Sequence, residues 1–572
     1  MTRWTARLMR SGLIAALLGT LTMGGLALAA EEPTKETAPG AATIVAPPAP
    51  AQAAAAAPAP PKPDPGGSVT GGIGDLTAKT PGKPTLEEVA EAAGHNKISI
   101  NIMWTLVAGF LVMFMQAGFA LCETGLCRAK NASHTMMMNF MVYALGMTGY
   151  WIMGFALQMG GVGGIASLSG GTANLANEFT ISLFGKEFGL FGMSGFFLQG
   201  VAYDSAIFAL FLFQMVFMDT AATIPTGAMA ERWKFSSFIV FAFFISMITY
   251  PLFGNWVWGG GWLSTLGKNF GFGHGYVDFA GSSVVHMTGG VTALAGALVL
   301  GPRIGKYTTD GKPNAIPGHN IPMALTGVFI LAFGWFGFNA GSTLAGTDLR
   351  IGVVATNTML ASASGAIAAM LYMWLKYGKP DPSMAGNGML AGLVAITAPC
   401  AFVNSVAAFI IGAAAGLLVC VSVFFVEGTL KVDDPVGAIS VHGACGAWGV
   451  LSLGLFADGT YGDAFNGVPG TVRGLLYGDA GQLVAQIIGP LTNLIFIFGT
   501  SWFFFKICDA VMGLRVAPEV EIDGLDIPEV GALAYPDFSL IPTHAGMGFP
   551  AGSVSAAKPE MAYGTVKKPQ TV

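Results

Sequence analysis

Long uncharged stretches alternate along the chain with short segments that hold most of its charged residues. Each stretch is close to the roughly 20 residues that an α-helix needs to cross a bilayer. The pattern therefore predicts an all-α polytopic membrane protein with eleven transmembrane helices. The predicted spans are residues 98–122, 139–160, 198–222, 236–262, 280–302, 320–341, 352–375, 384–399, 402–426, 437–457 and 482–510.

The eighth and ninth predicted spans lie within a single uncharged stretch, Pro382 to Val426. That stretch is too long for one crossing of a bilayer. Pro399 and Asn404 fall near its middle, and both residue types favour turns. We therefore predict two helices that are joined by a turn at these residues.

Lysine and arginine are concentrated on alternate loops. With the start of the first helix outside, the inside loops carry ten basic residues and the outside loops carry four. Because basic residues are retained on the cytoplasmic side, we predict a multi-pass protein of the cytoplasmic (inner) membrane. Its mature N-terminus would lie outside and its C-terminus inside. Helices 5 and 10 then run in opposite senses, which predicts an inverted 5+5 helix repeat plus one extra helix.

The two ends of the chain differ from the helical region between them. Residues 1–30 begin with three arginines, continue as an apolar run and end in small residues, which is typical of a cleaved signal peptide. Residues 31–95 are predicted to form an Ala/Pro-rich extracytoplasmic linker. The membrane domain is predicted at 96–512, and the polar, proline-broken segment 513–572 as a cytoplasmic C-terminal tail. Its tyrosine and acidic residues suit docking against inner loops such as those that carry Arg128, Arg232 and Lys306.

The composition excludes several classes of protein. With 53% hydrophobic and 10% charged residues, the chain is not a soluble globular protein. A formal charge of −5 without a basic tract argues against a nucleic-acid partner. The six cysteines lie in or beside apolar segments and are interpreted as small buried residues. Enzyme motifs are absent, and the glycine run Gly160–Gly164 lies in a predicted outside loop without a βαβ unit. We predict no enzyme activity, no metal site and no cofactor.

His286 and His442 lie in two apolar segments that resemble each other. Both are preceded by valine and followed four residues later by glycine. Ionisable side chains inside a bilayer are costly, and they usually mark a path for ions or protons. Their matched positions predict a substrate path at the interface of an internal repeat. The alternative is a pair of buried, hydrogen-bonded histidines that only join helices.

Five further motifs occur in a fixed order along the chain. They are Phe213–Phe217 with Gly227–Arg232, Trp256–Gly261, Asp278–Gly281, Gly334–Ser342, and Val432–Pro435 leading to His442-Gly443. In this order they resemble the ammonium transporter (Amt) family of the Amt/Rh/Mep superfamily. The resemblance runs from about residue 98 to residue 535.

The resemblance implies a role for each of these residues. Trp258, Phe217 and Ser342 would form an outer ammonium recruitment site, with Asp278 shaping the vestibule. Phe217 and Phe338 would form a stacked phenyl gate beneath it. His286 and His442 would be the twin-histidine pair of the pore and would relay a proton. The substrate would be ammonium or ammonia, with methylammonium as a second candidate.

The resemblance also implies partners: the lipid bilayer, two further copies of the chain in a homotrimer, and a PII-type signal protein at the cytoplasmic face. Two acids, Asp219 and Glu123, are left without an assigned role. An ammonium sensor with the same membrane core is the main alternative function. A general cation channel would need acidic rings or exposed carbonyl loops along the pore, and the sequence has neither.

Overall fold

The computed structural model describes residues 73–163, 165–169 and 175–538. The predicted signal peptide and most of the predicted linker lie outside the described residues, as do Gly164 and the chain after residue 538. Within these ranges, eleven apolar helices of fifteen residues or more make up the membrane domain, which confirms the predicted number. They are α1 (Leu86–Leu126), α2 (Ala129–Met159), α3 (Ser205–Ala228), α4 (Phe235–Trp258), α5 (Ser282–Leu300), α6 (Ile321–Thr343), α7 (Ile351–Tyr377), α8 (Pro382–Ile396), α9 (Ser405–Gly428), α10 (Ile439–Phe456) and α11 (Ala480–Met512).

The first helix is longer than its predicted span. It begins at Leu86, inside the segment 31–95 that was predicted as linker, and contains 41 residues. A capping box fixes this start: Thr85 accepts from the backbone N–H of Glu88, and the Glu88 side chain accepts from that of Thr85. At 1.5 Å per residue α1 is about 60 Å long, so it extends well beyond a bilayer core.

The third helix lies further along the chain than predicted. The predicted span 198–222 counted apolar residues that form short 3-10 turns before the helix. Asp204 fixes the true start, because its carboxylate accepts from the N–H groups of Ala206 and Ile207. By contrast, the turn between α8 and α9 is confirmed, with Asn404 capping α9 through the N–H of Ala407.

Small residues allow the helices to pack closely. A Cβ atom on Gly412 would lie 2.2 Å from the carbonyl oxygen of Ala361, and one on Gly416 would lie 2.2 Å from that of Gly365. The Gly412-x-x-x-Gly416 spacing therefore presses α9 against α7, as small-residue spacings do in membrane proteins. Large apolar side chains such as Phe329, Phe503 and Ile495 remain exposed on the outside of the bundle.

A β-hairpin interrupts the helices between α2 and α3. Strands β1 (Glu178–Leu183) and β2 (Lys186–Gly192) pair antiparallel around Phe184 and Gly185, which both have positive φ angles. From the sequence, this segment is predicted only as a loop. We call the end of the bundle that carries this hairpin the hairpin face, and the end that carries residues 513–538 the tail face. Helix α4 connects the two, since Phe235 binds the tail and Trp262, just past its end, binds the hairpin.

Candidate functional site

The two histidines meet where α5 crosses α10. A Cβ atom on Gly290 would lie 2.2 Å from the backbone nitrogen of Gly443, so only glycine fits at this crossing. The Nδ1 atoms of His286 and His442 are 3.2 Å apart, and the two rings are stacked with centroids 5.3 Å apart. One imidazole therefore donates to the other, since each neutral ring has one donor and one acceptor nitrogen. The structure thus brings the predicted pair together in the membrane interior.

Each histidine lies in a similar backbone frame. His286 is in a π-helical segment, Ser282–Met287, that begins α5, and His442 is in one, Ile439–Ala444, that begins α10. An aspartate stands eight residues before each histidine, Asp278 in one case and Asp434 in the other. The matched frames fit the predicted inverted repeat, with the fifth and tenth helices as counterparts.

These aspartates cap the two histidine helices. The carboxylate of Asp278 accepts from four backbone N–H groups, those of residues 281–284, at 2.7–3.0 Å. The carboxylate of Asp434 accepts from the N–H groups of Val436, Gly437 and Ile439. Burial raises the pKa of both carboxyls, and these hydrogen bonds oppose that shift. Asp434 was missed as a counterpart of Asp278, although the repeated Asp-x7-His spacing was visible in the sequence.

Aromatic rings form a column that leads from the hairpin face to the histidines. The rings of Phe217 and Phe338 are stacked 4.0 Å apart, and Trp258 meets Phe217 edge-on at 6.1 Å. Phe338 in turn stacks on His286 at 5.3 Å. The structure therefore places four of the predicted residues, Trp258, Phe217, Phe338 and His286, in one continuous column of rings.

Two other predicted site residues hold this column in place. The Trp258 indole N–H donates to the backbone carbonyl of Asp278 at 2.7 Å. The Ser342 hydroxyl donates to the backbone carbonyl of Phe338 at 2.8 Å, which leaves the lone pairs of that hydroxyl for another donor. Both carboxylate oxygens of Asp278 are already engaged by α5. Its carboxylate therefore positions α5 and its carbonyl positions Trp258.

Three neighbouring rings were missed by the sequence analysis. Trp335 stacks on His286 with centroids 5.1 Å apart, Phe213 lies 4.6 Å from Phe217, and Phe119 lies 6.0 Å from His442. Trp335 and Phe213 stand one helical turn from Phe338 and Phe217. That i, i+3 and i, i+4 spacing was a usable signal.

A cavity lies between the histidines and the tail face. His442 borders it, whereas His286 does not. Most of the lining is apolar, and Glu123 is the only carboxylate in it. Glu123 is 3% exposed, and its Oε2 atom accepts from Asn139 Nδ2 and Thr226 Oγ1, both at 2.7 Å.

The second unassigned acid, Asp219, has a different environment. It is 2% exposed in α3, and its Oδ1 atom has no hydrogen-bond partner among the protein groups. Among the described residues, neither a hydroxyl nor a helix end supplies a hydrogen bond to Oδ1. Asp219 also does not line the cavity beneath His442. The two acids are therefore not equivalent.

Buried ion pairs join the loops of the tail face. Arg303 binds Asp433 at 2.9 Å and Glu231 at 3.1 Å, and Arg128 also pairs with Glu231. Arg232 donates to the backbone carbonyl of Asp433 at 2.7 Å. Burial alone would raise the pKa of the Asp433 carboxyl, but the positive charges of Arg232 and Arg303 hold it well below its usual range.

The tail docks on these loops through acidic and tyrosine side chains. Glu521 accepts from the N–H of Ile304 at 2.6 Å and Asp526 from that of His134 at 2.9 Å. The Tyr535 hydroxyl lies 2.8 Å from the His319 ring. The tail is therefore packed against the bundle at several points along its length.

The prediction that the tail docks on the loops carrying Arg128, Arg232 and Lys306 is confirmed, because Lys130, Arg232 and Ile304 of these loops all bind it. The side chains of Arg128, Arg232 and Lys306 themselves have other partners. Arg128 pairs with Glu231, and Lys306 pairs with Glu427. Arg232 meets the tail only through its backbone carbonyl, which accepts from the N–H of Val516. Buried arginines need fixed partners within the bundle, so the tail acids bind mainly backbone N–H groups.

Comparison with known proteins identifies the family of the chain. A sequence profile of the Ammonium Transporter Family matches residues 103–535. That range includes every residue of the ring column, both histidines and the docked tail as far as Tyr535. The chain belongs to the Ammonium Transporter Family.

Individual relatives agree with this assignment. The chain is 47% identical over 459 residues to ammonium transporter Amt2 of Archaeoglobus fulgidus, a match that covers 80% of this chain and 91% of the relative. A solved sensor Amt protein superposes with a TM-score of 0.66 at 37% identity, covering 76% of this chain and 99% of the other. Candida albicans Mep2 superposes with a TM-score of 0.63 at 26% identity, covering 76% and 90%. These relatives include a protein named as an ammonium transporter and one named as a sensor.

Proposed function

We propose that this protein is an ammonium transporter that recruits NH4+ at an outer aromatic site and deprotonates it. Ammonia then crosses a hydrophobic pore, while the twin histidines relay the proton. The observation that carries the proposal is the ring column from Trp258 through Phe217 and Phe338 to the His286–His442 pair.

The recruitment step follows from the chemistry of Trp258 and Ser342. The face of an indole attracts a small cation by about 0.5–2 kcal/mol, depending on how far the site is desolvated. The Ser342 hydroxyl donates to a backbone carbonyl, so its oxygen can accept a hydrogen bond from ammonium. Asp278 supports this site through Trp258, and direct contact with ammonium remains a prediction. Recognition would rest on hydrogen bonding and shape more than on fixed charge.

The crossing step follows from the cost of a buried charge. Carrying an intact ion across the apolar interior costs at least about 2.5–3.5 kcal/mol. The stacked Phe217 and Phe338 rings offer a cation no hydrogen-bond acceptor, so the ion would have to give up its proton here. Neutral ammonia avoids the charge penalty. The imidazoles can pass the proton because they are hydrogen-bonded to each other at 3.2 Å.

The proposed membrane arrangement places the hairpin face outside and the tail face in the cytoplasm of a cell with an inner membrane. The concentration of basic residues on the tail-face loops supports this orientation. The homotrimer and the PII-type partner come from the family resemblance. Exposed apolar residues such as Phe329 and Ile495 suit contact with lipid or with a neighbouring subunit.

An ammonium sensor is the second candidate function, because a solved sensor Amt protein has the same fold. A sensor needs an output element, and the described tail, residues 513–538, contains only short helices packed on the tail face. The ring column that leads through the bundle to the histidine pair favours transport.

Purified protein in liposomes would distinguish the two functions. A transporter should give an ammonium-evoked inward current and ammonium uptake that saturate with ammonium concentration. A sensor should bind ammonium with a measurable dissociation constant yet add no flux above that of empty liposomes. Absence of both flux and current from folded, reconstituted protein would contradict the transporter proposal.

A further inference from the structure

Glu123 occupies a position that no step of the proposed mechanism uses. It lies in the last turn of α1, near the tail face, and lines the same cavity as His442. The ring of Phe119, one turn earlier on α1, packs beside the His442 ring, with the ring centroids 6.0 Å apart. Helix α1 therefore lines the cavity from Phe119, beside His442, to the Glu123 carboxyl group.

The carboxyl group of Glu123 is held in place without being neutralised by a cation. Asn139 and Thr226 donate to one of its oxygens. The arginines of the tail face are bound elsewhere, and none of the ion pairs among the described residues includes Glu123. An acid that is positioned but has no paired cation can accept and release a proton, and such acids form proton relays in membranes.

Neighbouring acids are less suited to this role. The carboxylate of Asp434 is already engaged by three backbone N–H groups at the start of α10. Asp433 and Glu231 are paired with Arg303. Asp219 does not line the cavity.

We propose that Glu123 is the acceptor that takes the relayed proton from His442. The inference rests on the proposed transport function and adds its inner exit. The His442 imidazolium would lose its proton to water in the cavity, and water would pass a proton to the Glu123 carboxylate. Glu123 would then release that proton to the inner solution, where it recombines with ammonia. No other reactant is needed, and each residue returns to its starting protonation state.

The test compares Glu123→Gln with the wild-type protein in liposomes that contain a pH-sensitive dye. An ammonium chloride pulse evokes two signals, a current and a change of internal pH. Ammonia that enters with its proton leaves the internal pH nearly unchanged, whereas ammonia that enters alone makes the interior alkaline. For Glu123→Gln we expect the current to fall at least about tenfold. This threshold is conservative, because a positioned acid or base contributes about 100-fold or more to proton transfer. Ammonia entry above that of empty liposomes should persist.

Two further variants separate proton transfer from a structural role. Glu123→Asp keeps the carboxyl group and should restore much of the current. Asp219→Asn removes the other membrane acid, which lies away from the cavity, and serves as the matched control with unchanged current. All variants are compared at equal abundance and equal oligomeric size.

Three outcomes would overturn the role of Glu123. The first is a Glu123→Gln current within twofold of the wild-type current. The second is the loss of current and ammonia entry together, which would make Glu123 a structural part of the pore. The third is a wild-type protein that takes up ammonium without any current. That result would contradict the proton relay itself, so it distinguishes failure of the proposed function from failure of this inference alone.

Discussion

His286 and His442 have the same backbone frame and different surroundings. Each follows a capping aspartate by eight residues and lies in a π-helical segment. His286 is enclosed by the rings of Trp335 and Phe338 and is fully buried. His442 borders the cavity on the tail side. The repeat therefore supplies the geometry of the pair, and the neighbouring helices give the two members different access.

Because of this difference, the two histidines would act at different points along the pore. The enclosed histidine lies directly beneath the phenyl pair, where ammonia and its proton would separate. The other borders the mostly apolar cavity that Glu123 also lines. The hairpin side of the pore is thus lined by the aromatic column, whereas the tail side combines the Glu123 carboxyl group with a layer of ion pairs.

The strongest expected effect on stability comes from the two capping aspartates. Asp278→Asn replaces a carboxylate that accepts from four backbone N–H groups, and hydrogen bonds to charged groups contribute about 1.5–3 kcal/mol each. The asparagine amide keeps one acceptor oxygen, so only the two backbone bonds to the other oxygen are lost, and we expect destabilisation of about 3 kcal/mol. Asp434→Asn should cost less, because only Ile439 N–H binds the second oxygen of Asp434. Thermal unfolding of both variants in detergent checks this order. Equal stability of Asp278→Asn and the wild-type protein would show that the two frames do not depend on their caps.

Deletion of the tail tests whether contacts at the tail face control transport. Deletion of all residues after Leu514 removes the contacts of Glu521, Asp526 and Tyr535 with the tail-face loops. We expect oligomers that still reach the membrane but transport about tenfold less, within the usual range of coupling between distant sites. Ammonium uptake at matched membrane abundance measures the effect.

Deletion after Phe538 is the matched control for the tail, because it keeps every docked residue described here. It should transport at the wild-type rate. If the longer deletion also transports at the wild-type rate, docking of the tail does not control the pore, and binding of a PII-type protein at this face loses its structural support.

The outer site gives the smallest expected effect. Trp258→Leu removes a cation–π contact of about 1 kcal/mol, which corresponds to a roughly fivefold rise in the ammonium concentration for half-saturation. The maximal rate should change less. Trp256→Leu is the control, since that indole N–H donates to Leu190 of the hairpin and its ring is not part of the column. If the ammonium concentration for half-saturation is the same in Trp258→Leu as in the wild-type protein, Trp258 is a packing residue and not part of an ammonium site.

The sequence predicted the helices well because a bilayer imposes a length on each uncharged segment. Helix α2 begins at Ala129, ahead of its predicted span 139–160 and without a side-chain cap. The errors at α3 and α1 arose at ends that polar caps define. Asp204 and the Thr85–Glu88 box fix the starts of α3 and α1, and hydropathy alone does not register them. The hairpin was missed because its strands are short and lie outside the apolar segments.

The site was predicted in part, for a physical reason. The column residues belong to motifs that stand within single helices, such as Phe338 and Ser342 on α6. The role of Glu123 depends on a cavity that α1 forms with helices distant in the chain, and no local pattern encodes that contact. For the tail, the sequence predicted docking through acidic residues. It could not predict that these acids bind backbone N–H groups, because this depends on the ion pairs that the arginines form within the bundle.

The central claim is that ammonia and its proton cross the pore separately, with the proton on the histidines. Simultaneous recording of current and internal pH in liposomes that contain His286→Ala/His442→Ala protein tests it most directly. The relay predicts that ammonium evokes no current in this variant, while any ammonia that enters makes the interior alkaline. A full, unchanged current in variant protein that is folded and keeps the wild-type oligomeric size would contradict the relay.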